Sequence, residues 1–210
     1  MNIHHLVTGP LATNTYIVFC QKGGEAVIID PAGSDQEIID FIKENNLSVK
    51  IILLTHGHAD HLGAVKILRQ EYSAPVWIHA GDAAMLGNPE LNLSAFLGQP
   101  LELRPADRLL SNGDVITIDG LILNVSHTPG HTPGGICLIG PGCVFSGDTL
   151  FAGSVGRTDF PGGNMDDLIA GIHKHLMILA DHIKVFPGHG PQTTIGKERY
   201  QNPYLQREGR

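Results

Sequence analysis

The stretch VKIILLTHGHADH, residues 49–61, joins a continuous apolar run to a dense group of metal-binding side chains. An aliphatic run such as Val49–Leu54 is typical of a strand that is covered on both faces. Directly after it come four donors within six residues, namely His56, His58, Asp60 and His61. Side chains alternate along an extended segment, so the two histidines that flank Gly57 point to the same side and can reach one ion. Asp60 and His61 diverge and can serve a second ion, although Asp60 by itself would more often cap a following helix.

Three later segments repeat this arrangement, in which an apolar strand ends in a glycine- or proline-rich turn that carries one metal-type donor. The turn TPGHTPGG carries His131, SGDT carries Asp148 and PGHG carries His189. Turns of this composition have well-defined backbones and let the chain approach an ion closely. A single turn of this kind is weak evidence. Four strand ends that each carry such donors predict a metal site.

The remaining pattern alternates between β-rich and helical segments. We predict strands at Asn2–Thr8, Thr15–Cys20, Ala26–Asp30, Pro75–His79, Arg108–Leu110, Val115–Asp119, Leu121–Ser126, Ile136–Ile139, Val144–Ser146 and Ile183–Phe186. We predict helices at Ser34–Asn45, His61–Tyr72 and Asp166–Leu179, with Ser34 and Glu37 forming a capping box. Short helices in a lid-like excursion are expected within Ala83–Leu97, and a polar tail after the last strand. This order favours an α/β fold of two sheets packed face to face with helices outside, a four-layer αβ/βα sandwich.

Length and composition limit the possible classes of protein. The 210 residues are about 1.4 times the ~150 of a typical domain, so we expect one domain over residues 1–210. The net charge of −7 disfavours a nucleic-acid surface, and no apolar run approaches the ~20 residues that span a bilayer. The N-terminal residues lack the pattern of a signal peptide, so we expect a cytoplasmic protein. Its three cysteines lack metal-site spacing and are expected to be buried free thiols.

The donor segments resemble those of a known family. THGHADHLG, TPGHTPGG, FSGDTLF and PGHGP are similar to the metal motifs of the metallo-β-lactamase superfamily, in order and spacing, from about Asn14 to Pro191. GSVGRTDFPGG and TTIGKERYQNPYL resemble the short bacterial glyoxalase II group, which comprises hydroxyacylglutathione hydrolase-like proteins. The fold of this superfamily is the αβ/βα sandwich, in agreement with the layer order predicted above.

The resemblance implies a dinuclear metal site. One ion would be bound by His56, His58 and His131, a second by Asp60, His61 and His189, and Asp148 would bridge the two. Imidazole and carboxylate ligands without thiolate fit zinc best, with iron, manganese or cobalt as alternatives. Asp30, in the segment IIDPAG, matches the family's first motif and would steady the metal loop from behind, although turn formation explains it equally well.

The same resemblance implies hydrolysis of a small-molecule thioester, most specifically S-D-lactoylglutathione. Hydroxide shared by the two ions would attack the acyl carbonyl, and Asp60 would orient it. The longer glyoxalase II enzymes bind glutathione partly through a C-terminal helical domain, which we do not expect in a chain that ends at Arg210. Arg157 in GRTDF, together with Lys197 and Arg199, could contact a substrate carboxylate. For Lys197 and Arg199, a solvated surface charge is an equally good explanation.

Several alternatives remain open. A persulfide dioxygenase shares GRTDF and this framework but would use one iron, for which His56, His131 and Asp148 suffice. Lactonase and β-lactamase activities are more remote, and the negative charge disfavours a nuclease of the same superfamily. A purely structural zinc protein would have a closed four-ligand site, whereas seven donors for two ions leave positions open for substrate. The sequence does not determine the oligomeric state.

Overall fold

A computed structural model describes residues 1–33 and 35–206 and contains two six-stranded sheets and a short hairpin. The first sheet is formed by β1 (Asn2–Thr8), β2 (Thr13–Phe19), β3 (Glu25–Ile29), β4 (Ser48–Leu53), β5 (Val76–His79) and β6 (Arg108–Leu110), in that spatial order. The chain then forms β7 (Val115–Ile118), β8 (Leu121–His127), β9 (Ile136–Gly140), β10 (Cys143–Gly147), the hairpin β11 (Leu150–Phe151) and β12 (Ser154–Val155), β13 (Lys184–Pro187) and β14 (Thr193–Thr194). The second sheet has the order β14-β13-β10-β9-β8-β7.

Both sheets are mixed, and four α-helices flank them. In the first sheet β1, β2 and β3 pair antiparallel, whereas β3 to β6 pair parallel. In the second sheet β10 and β13 are parallel, and the other pairs are antiparallel. The helices are α1 (Asp35–Glu44), α2 (Val65–Tyr72), α3 (Met165–His175) and α4 (Ile195–Gln201). The parallel pairs bring several strand C-termini to one edge of the molecule.

Three apolar layers separate these elements and confirm the predicted four-layer sandwich. The central layer lies between the sheets and contains Tyr16, Val18 and Phe145. Next to Tyr16 and Val18 on the same strand, Ile17 lies in a second layer beneath α1 and α2. A third layer joins α3 and α4 to the second sheet. Because β4 has an apolar layer on each face, its consecutive residues Ile51, Ile52 and Leu53 are all buried.

The helix predicted from His61 begins only at Val65. Ala59–His61 forms a short 3₁₀ helix instead. The backbone after His61 lies against the chain that leaves β3: the Ala64 amide donates to the Pro31 carbonyl at 2.9 Å, and a Cβ at Gly63 would collide with the Ala32 carbonyl. This close approach of two backbones delays the start of α2.

The predicted polar tail is wrong, because α4 occupies that region. The Thr194 hydroxyl caps α4 by accepting a hydrogen bond from the Lys197 amide at 3.2 Å. Ile195 is fully buried, and the buried Glu198 accepts from the Thr193 hydroxyl at 2.6 Å and from the Gly153 amide at 2.8 Å. A threonine before an otherwise polar run was the available signal for this helix.

The excursion after β5 contains two 3₁₀ helices, Ala80–Gly87 and Ser94–Leu97, as expected for short helical pieces. The predicted capping residue Ser34 lies outside the described residues. Asn92 is fully buried and holds the excursion together through hydrogen bonds from its side-chain amide to the carbonyls of Met85 and Leu101, both at 2.9 Å. Every helix in the described part of the chain is too short or too polar to cross a membrane.

Candidate metal centre

All seven predicted donors converge at one edge of the sandwich, where the strands of both sheets end. The first sheet contributes the loop after β4, and the second sheet contributes the segments that follow β8, β10 and β13. The donors form two triads and one linking carboxylate: the imidazole triad is His56, His58 and His131, and the mixed triad is Asp60, His61 and His189. Asp148 is the linking carboxylate.

The imidazole triad is compact and buried. One ring nitrogen from each histidine lies within 4.8 Å of those of the other two. His131 Nδ1 donates to the Arg157 carbonyl at 2.7 Å, which leaves Nε2 facing the other two rings. His58 Nδ1 lies 2.9 Å from His131 Nε2. These rings therefore direct ring nitrogens at one small volume.

The mixed triad combines two rings with a carboxylate, and Asp148 connects it to the imidazole triad. Asp60 Oδ2 is 3.1 Å from His189 Nε2 and 3.6 Å from His61 Nε2. Asp148 Oδ1 is 3.4 Å from His61 Nε2, and Asp148 Oδ2 is 3.5 Å from His131 Nε2. One carboxylate thus faces both triads, which is the position expected of a bridging ligand.

Three buried polar atoms at the centre have no hydrogen-bond partner among the described residues: His56 Nε2, His61 Nε2 and Asp148 Oδ1. An unsatisfied buried polar atom costs about 1–3 kcal/mol, so a cluster of three is unusual in a folded protein. Imidazole nitrogens and carboxylate oxygens are ligands for zinc, iron and manganese. The residues present therefore fit a metal centre.

Burial keeps two histidines of the imidazole triad neutral. Burial lowers the pKa of His56 well below its ordinary value, and the nearby His61 and His131 lower it further. Burial and His131 lower the pKa of His58 to about 3. Neutral imidazole is the form that binds a metal. His56 and His58 are thus in their metal-binding protonation state at neutral pH.

The mixed triad has the opposite electrostatics. Burial lowers the pKa of His61, but Asp60, Asp148 and Asp30 outweigh burial and raise it well above its ordinary value. Burial likewise opposes protonation of His189, and Asp60 and Asp148 raise its pKa. Burial raises the pKa of Asp60, but His61 and His189 overcome this effect and lower it. Without an ion, the nearby carboxylates thus favour the protonated forms of both histidines in this triad.

Asp30 contacts residues of the metal loop and orients them, which is one of the two interpretations of this residue from the sequence. Its carboxylate accepts from the Thr55 amide at 2.7 Å, from the Thr55 hydroxyl at 2.6 Å and from His61 Nδ1 at 3.0 Å. Because the Thr55 hydroxyl hydrogen goes to Asp30, His56 Nδ1 donates to Thr55 Oγ1 at 3.2 Å. Both rings therefore direct Nε2 towards the centre. Asp30 also has a left-handed φ of 49°, in keeping with the turn interpretation.

Asp82 is a second supporting carboxylate, which sequence reasoning missed. It is fully buried and accepts from the Gly57 amide at 3.0 Å, the Thr132 hydroxyl at 2.7 Å and the Gly134 amide at 2.5 Å. Burial raises its pKa, and these hydrogen bonds oppose the rise. Asp82 thereby joins the loop of His56 and His58 to the loop of His131. A glycine-aspartate pair just after a strand, the signal that identified Asp148, was present here too.

Asn14 and Tyr16 hold the turn that carries His189. The Asn14 side-chain amide donates to the carbonyls of Pro187 at 2.8 Å and Gly190 at 2.9 Å. The Tyr16 hydroxyl donates to the Pro187 carbonyl at 2.7 Å. His189 Nδ1 donates to the Leu11 carbonyl at 3.2 Å, which leaves Nε2 facing Asp60. The first hairpin thus positions a donor that lies far away in sequence.

The three predicted substrate-binding cations occupy different places. Arg157 lines a cavity of about 670 Å³ that also exposes Asp60, Asp148 and donors of both triads. Lys197 is exposed on α4 and is not part of the cavity lining. Arg199 is also absent from the lining: it donates to the carbonyls of Met177 at 2.9 Å and Leu179 at 2.5 Å and pairs with Asp181. Arg199 therefore fastens α4 to the segment after α3.

Known proteins resemble this chain over most of its length. The sequence profile described as "Metallo-beta-lactamase superfamily" matches residues 8–189. The chain is 38% identical over 208 residues to the "Probable metallo-hydrolase YqgX" of Bacillus subtilis, covering 98% of each chain. It is 39% identical over 218 residues to the "Hydroxyacylglutathione hydrolase GloC" of Haemophilus influenzae, again covering 98% of each.

Solved structures have the same fold as this chain. The BLEG-1 B3 metallo-beta-lactamase superposes with a TM-score of 0.93 at 41% identity, covering 98% of this chain and 100% of BLEG-1. TTHA1623 in a di-iron-bound form has a TM-score of 0.84 at 37% identity, covering 96% of this chain and all of that one. The chain therefore belongs to the metallo-beta-lactamase superfamily, as a metal-dependent hydrolase whose histidine and aspartate clusters indicate a dinuclear metal site.

Proposed function

We propose that the protein is a thioesterase that cleaves S-D-lactoylglutathione-type thioesters and uses two zinc ions. The observation that carries this proposal is the arrangement of the two triads, which share Asp148 and open onto one cavity. The likeness to GloC, which is named a hydroxyacylglutathione hydrolase, supports the substrate class. The ligand set follows the triads: His56, His58 and His131 for one ion, Asp60, His61 and His189 for the other, and Asp148 between them.

The two ions, when bound, would acidify a shared water towards a pKa of ~7 and polarise the acyl carbonyl. Asp60 lines the cavity, and its lowered pKa keeps it a carboxylate at neutral pH, so it can accept a hydrogen bond from the attacking water. Thr13 Oγ1 donates to Asp60 Oδ2 at 3.5 Å and limits its rotation. Arg157 lies at the cavity wall, where it would contact the substrate. The chain's role is to orient the water and to hold the acyl group beside it.

Iron and manganese are the alternatives to zinc. Imidazole and carboxylate donors accept all three metals, and TTHA1623, a relative of known structure, was solved in a di-iron-bound form. Metal analysis of the protein as isolated, followed by reconstitution with each ion, decides among them. We expect about two ions per chain, with the zinc form active.

The activity test combines that metal count with thiol release from S-D-lactoylglutathione. Metal-loaded protein should release glutathione, chelated protein should not, and added zinc should restore the rate. Asp166→Ala, an exposed change at the start of α3, is a matched control for substitutions of the ligand aspartates. A metal-loaded sample that leaves the thioester intact but cleaves another ester class would overturn the proposal.

Hydrolysis of β-lactams is a second candidate, because the BLEG-1 neighbour is titled a B3 metallo-beta-lactamase and matches over nearly the whole chain. Assays with a chromogenic cephalosporin and with a lactone separate β-lactamase and lactonase activity from thioester cleavage. A persulfide dioxygenase is also distinguishable: it would bind one iron per chain, through His56, His131 and Asp148, and consume oxygen with a persulfide. We expect the thioester to be the best substrate of this panel.

A further inference from the structure

The cavity beside the two triads has an apolar wall that the metal chemistry does not need. Large apolar side chains from four separate segments line it: Leu11, Leu93, Phe96, Leu97, Phe151 and Phe160. They come from the β1–β2 connection, the excursion after β5, the β11–β12 hairpin and the segment after β12. Apolar groups that converge from distant segments on a site of about 670 Å³ are typical of a ligand pocket.

Two of the aromatic rings lie directly against the donors. The Phe160 ring centroid is 5.8 Å from that of His58 in the imidazole triad. The Phe151 ring centroid is 6.2 Å from that of His189 in the mixed triad. A group attached to the reacting carbonyl or to its sulfur therefore meets apolar surface on both sides of the centre.

Other wall residues expose apolar surface at the mouth of the cavity. Phe96 is 78% exposed, Leu97 is 52% exposed and Leu11 is 50% exposed. Exposed apolar side chains that cluster around a cleft mark a binding site, whereas single ones are common anywhere on a protein surface. These residues keep apolar surface available beside the site.

The backbone of the excursion is strained where it meets the cavity. Leu93 has a φ of 68°, in the left-handed region that branched side chains rarely adopt. Its neighbour Asn92 holds this conformation through the two carbonyl contacts described above, and the Asn92 carbonyl accepts from the Ala59 amide at 2.8 Å. Strain of this kind persists where the surrounding structure enforces it. The leucine is thereby presented to the cavity by a segment tied to the metal loop.

The cavity offers little to a charged ligand apart from its metal donors. Arg157 is the only Lys or Arg among its described lining residues. The Arg157 guanidinium already donates to both oxygens of Asp159, at 2.7 and 2.6 Å, and lies 4.0 Å from the Phe160 ring centre. The carboxylates of a glutathione moiety would therefore have to compete with Asp159 for this cation, so any contact between Arg157 and the substrate contributes little charge recognition.

From these contacts we infer that the cavity binds an apolar group carried by the thioester. Substrates with a longer aliphatic or an aromatic group should therefore be cleaved more efficiently than those with a methyl group. This inference rests on the proposed thioester hydrolysis. Each methylene buried against the wall should raise kcat/KM about 4-fold, which corresponds to ~0.8 kcal/mol per methylene. The apolar group enters from either side of the sulfur, and the experiment separates the two.

The first arm varies the acyl group on glutathione. S-lactoyl-, S-(2-hydroxyhexanoyl)- and S-mandeloylglutathione share the hydroxyl and the thiol and differ in a methyl, butyl or phenyl group. The second arm keeps the lactoyl group and compares glutathione with N-acetylcysteamine and hexanethiol as the thiol. If the acyl group meets the wall, we expect roughly a 50-fold gain in kcat/KM from the lactoyl to the 2-hydroxyhexanoyl thioester, which differ by three methylenes. If the thiol meets the wall, we expect the hexanethiol thioester to be cleaved with a higher kcat/KM than the N-acetylcysteamine thioester. Equal kcat/KM throughout both arms overturns the inference.

Two variants test the wall itself. Phe96→Ser should reduce the ratio of kcat/KM between the apolar and the methyl substrates about 10-fold, because it removes a large part of the mouth. Ile178→Ser is the matched control: it removes an apolar side chain that is 75% exposed and is absent from the cavity lining. The control should leave the ratio unchanged. A ratio that the two variants change equally would contradict the inference.

A binding measurement separates this inference from the proposed reaction. S-hexyl- and S-methylglutathione are thioethers that cannot be hydrolysed, and calorimetry with metal-loaded protein gives their affinities. We expect the hexyl compound to bind at least about 50-fold more tightly, with a negative heat-capacity change, and Phe96→Ser to reduce the difference. If no thioester is cleaved but this difference is found, the proposed function fails and the apolar site stands. If thioesters are cleaved and the two compounds bind equally, the acyl group does not meet the wall, and the apolar site fails unless the hexanethiol thioester is favoured in the second arm.

Discussion

The two triads lie side by side, yet their environments prepare them differently for a metal. The imidazole triad has no carboxylate of its own, and burial holds His56 and His58 in the neutral form. The mixed triad contains Asp60 and is further supported by Asp30 and Asp148, which favour protonated His61 and His189. The carboxylates around the mixed triad favour a proton in place of an ion, whereas burial opposes a proton on His56 and His58. The same ligand types therefore differ in charge because of their neighbours.

Removal of the shared carboxylate should weaken metal binding at both triads. Asp148→Ala deletes the group that faces His61 and His131, so we expect both ions to bind poorly. Loss of about 4 kcal/mol of transition-state stabilisation would lower kcat/KM about 10³-fold. Metal analysis and thiol release measure both effects, with Asp166→Ala as control. Retention of two tightly bound ions would show that Asp148 is not a bridging ligand.

Metal loading should release protons from the mixed triad. Since carboxylates raise the pKa of His61 and of His189, they favour the protonated forms in the metal-free chain, and an ion must displace those protons. His56 and His58 have lowered pKa values and release none. Calorimetric titration in buffers of different ionisation enthalpy counts the protons. We expect net proton release with wild-type protein, less release with His189→Ala, and release as in the wild type with His58→Ala. Equal release by the two variants would contradict the raised pKa of His189.

The same pKa shifts set the sign of the pH dependence of stability without metal. A histidine whose folded pKa is raised stabilises the fold fully below its unfolded pKa of ~6.5, and this contribution disappears as the pH rises through the folded value. His61 and His189 thus stabilise the metal-free chain at acidic pH, whereas His56 and His58 oppose folding there. We expect His189→Ala to destabilise the metal-free protein more at pH 6 than at pH 9, as measured by urea unfolding. The opposite trend would be inconsistent with a raised pKa.

The two supporting carboxylates should affect the triads unequally. Asp30→Asn weakens the hydrogen bond to His61 Nδ1, and loss of such a contact typically lowers metal affinity 10- to 100-fold. Asp82→Asn leaves one of its backbone donors, Gly57 or Gly134, without an acceptor and should cost about 1–3 kcal/mol of stability. Because Asp82 contacts only the loops of the imidazole triad, we expect its metal loss to be confined to that ion. Loss of both ions together would argue against separate support.

Arg199 should have the smallest effect, because it contacts neither triad. Arg199→Met removes the hydrogen bonds to the Met177 and Leu179 carbonyls and should lower the free energy of unfolding by about 1–2 kcal/mol. Metal content and the KM for S-D-lactoylglutathione should stay unchanged, since the side chain is absent from the cavity lining. A raised KM with unchanged stability would restore the substrate-binding role predicted from sequence.

The longer strands and the donors could be predicted because their signals are local, whereas the two-residue strands β11, β12 and β14 were missed. The aliphatic run of β4 and the turns that carry His131, Asp148 and His189 identify themselves within a few residues. The delayed start of α2 could not be predicted, since it follows from contact between Gly63 and the Ala32 carbonyl. Asp82 was overlooked for a similar reason, as its three donors lie 25 to 52 positions away along the chain.

The sequence by itself determined which ligand types the protein has, their order and the two-sheet fold, because ligand chemistry and strand periodicity belong to individual side chains and their immediate neighbours. Only the tertiary structure decided which histidines share a carboxylate, and hence the opposite pKa shifts of His58 and His61. It also decided that Arg199 fastens a helix while Phe96 and Phe160 face the cavity. Burial, charge pairing and cavity walls arise between distant segments, and therefore only when the sheets pack.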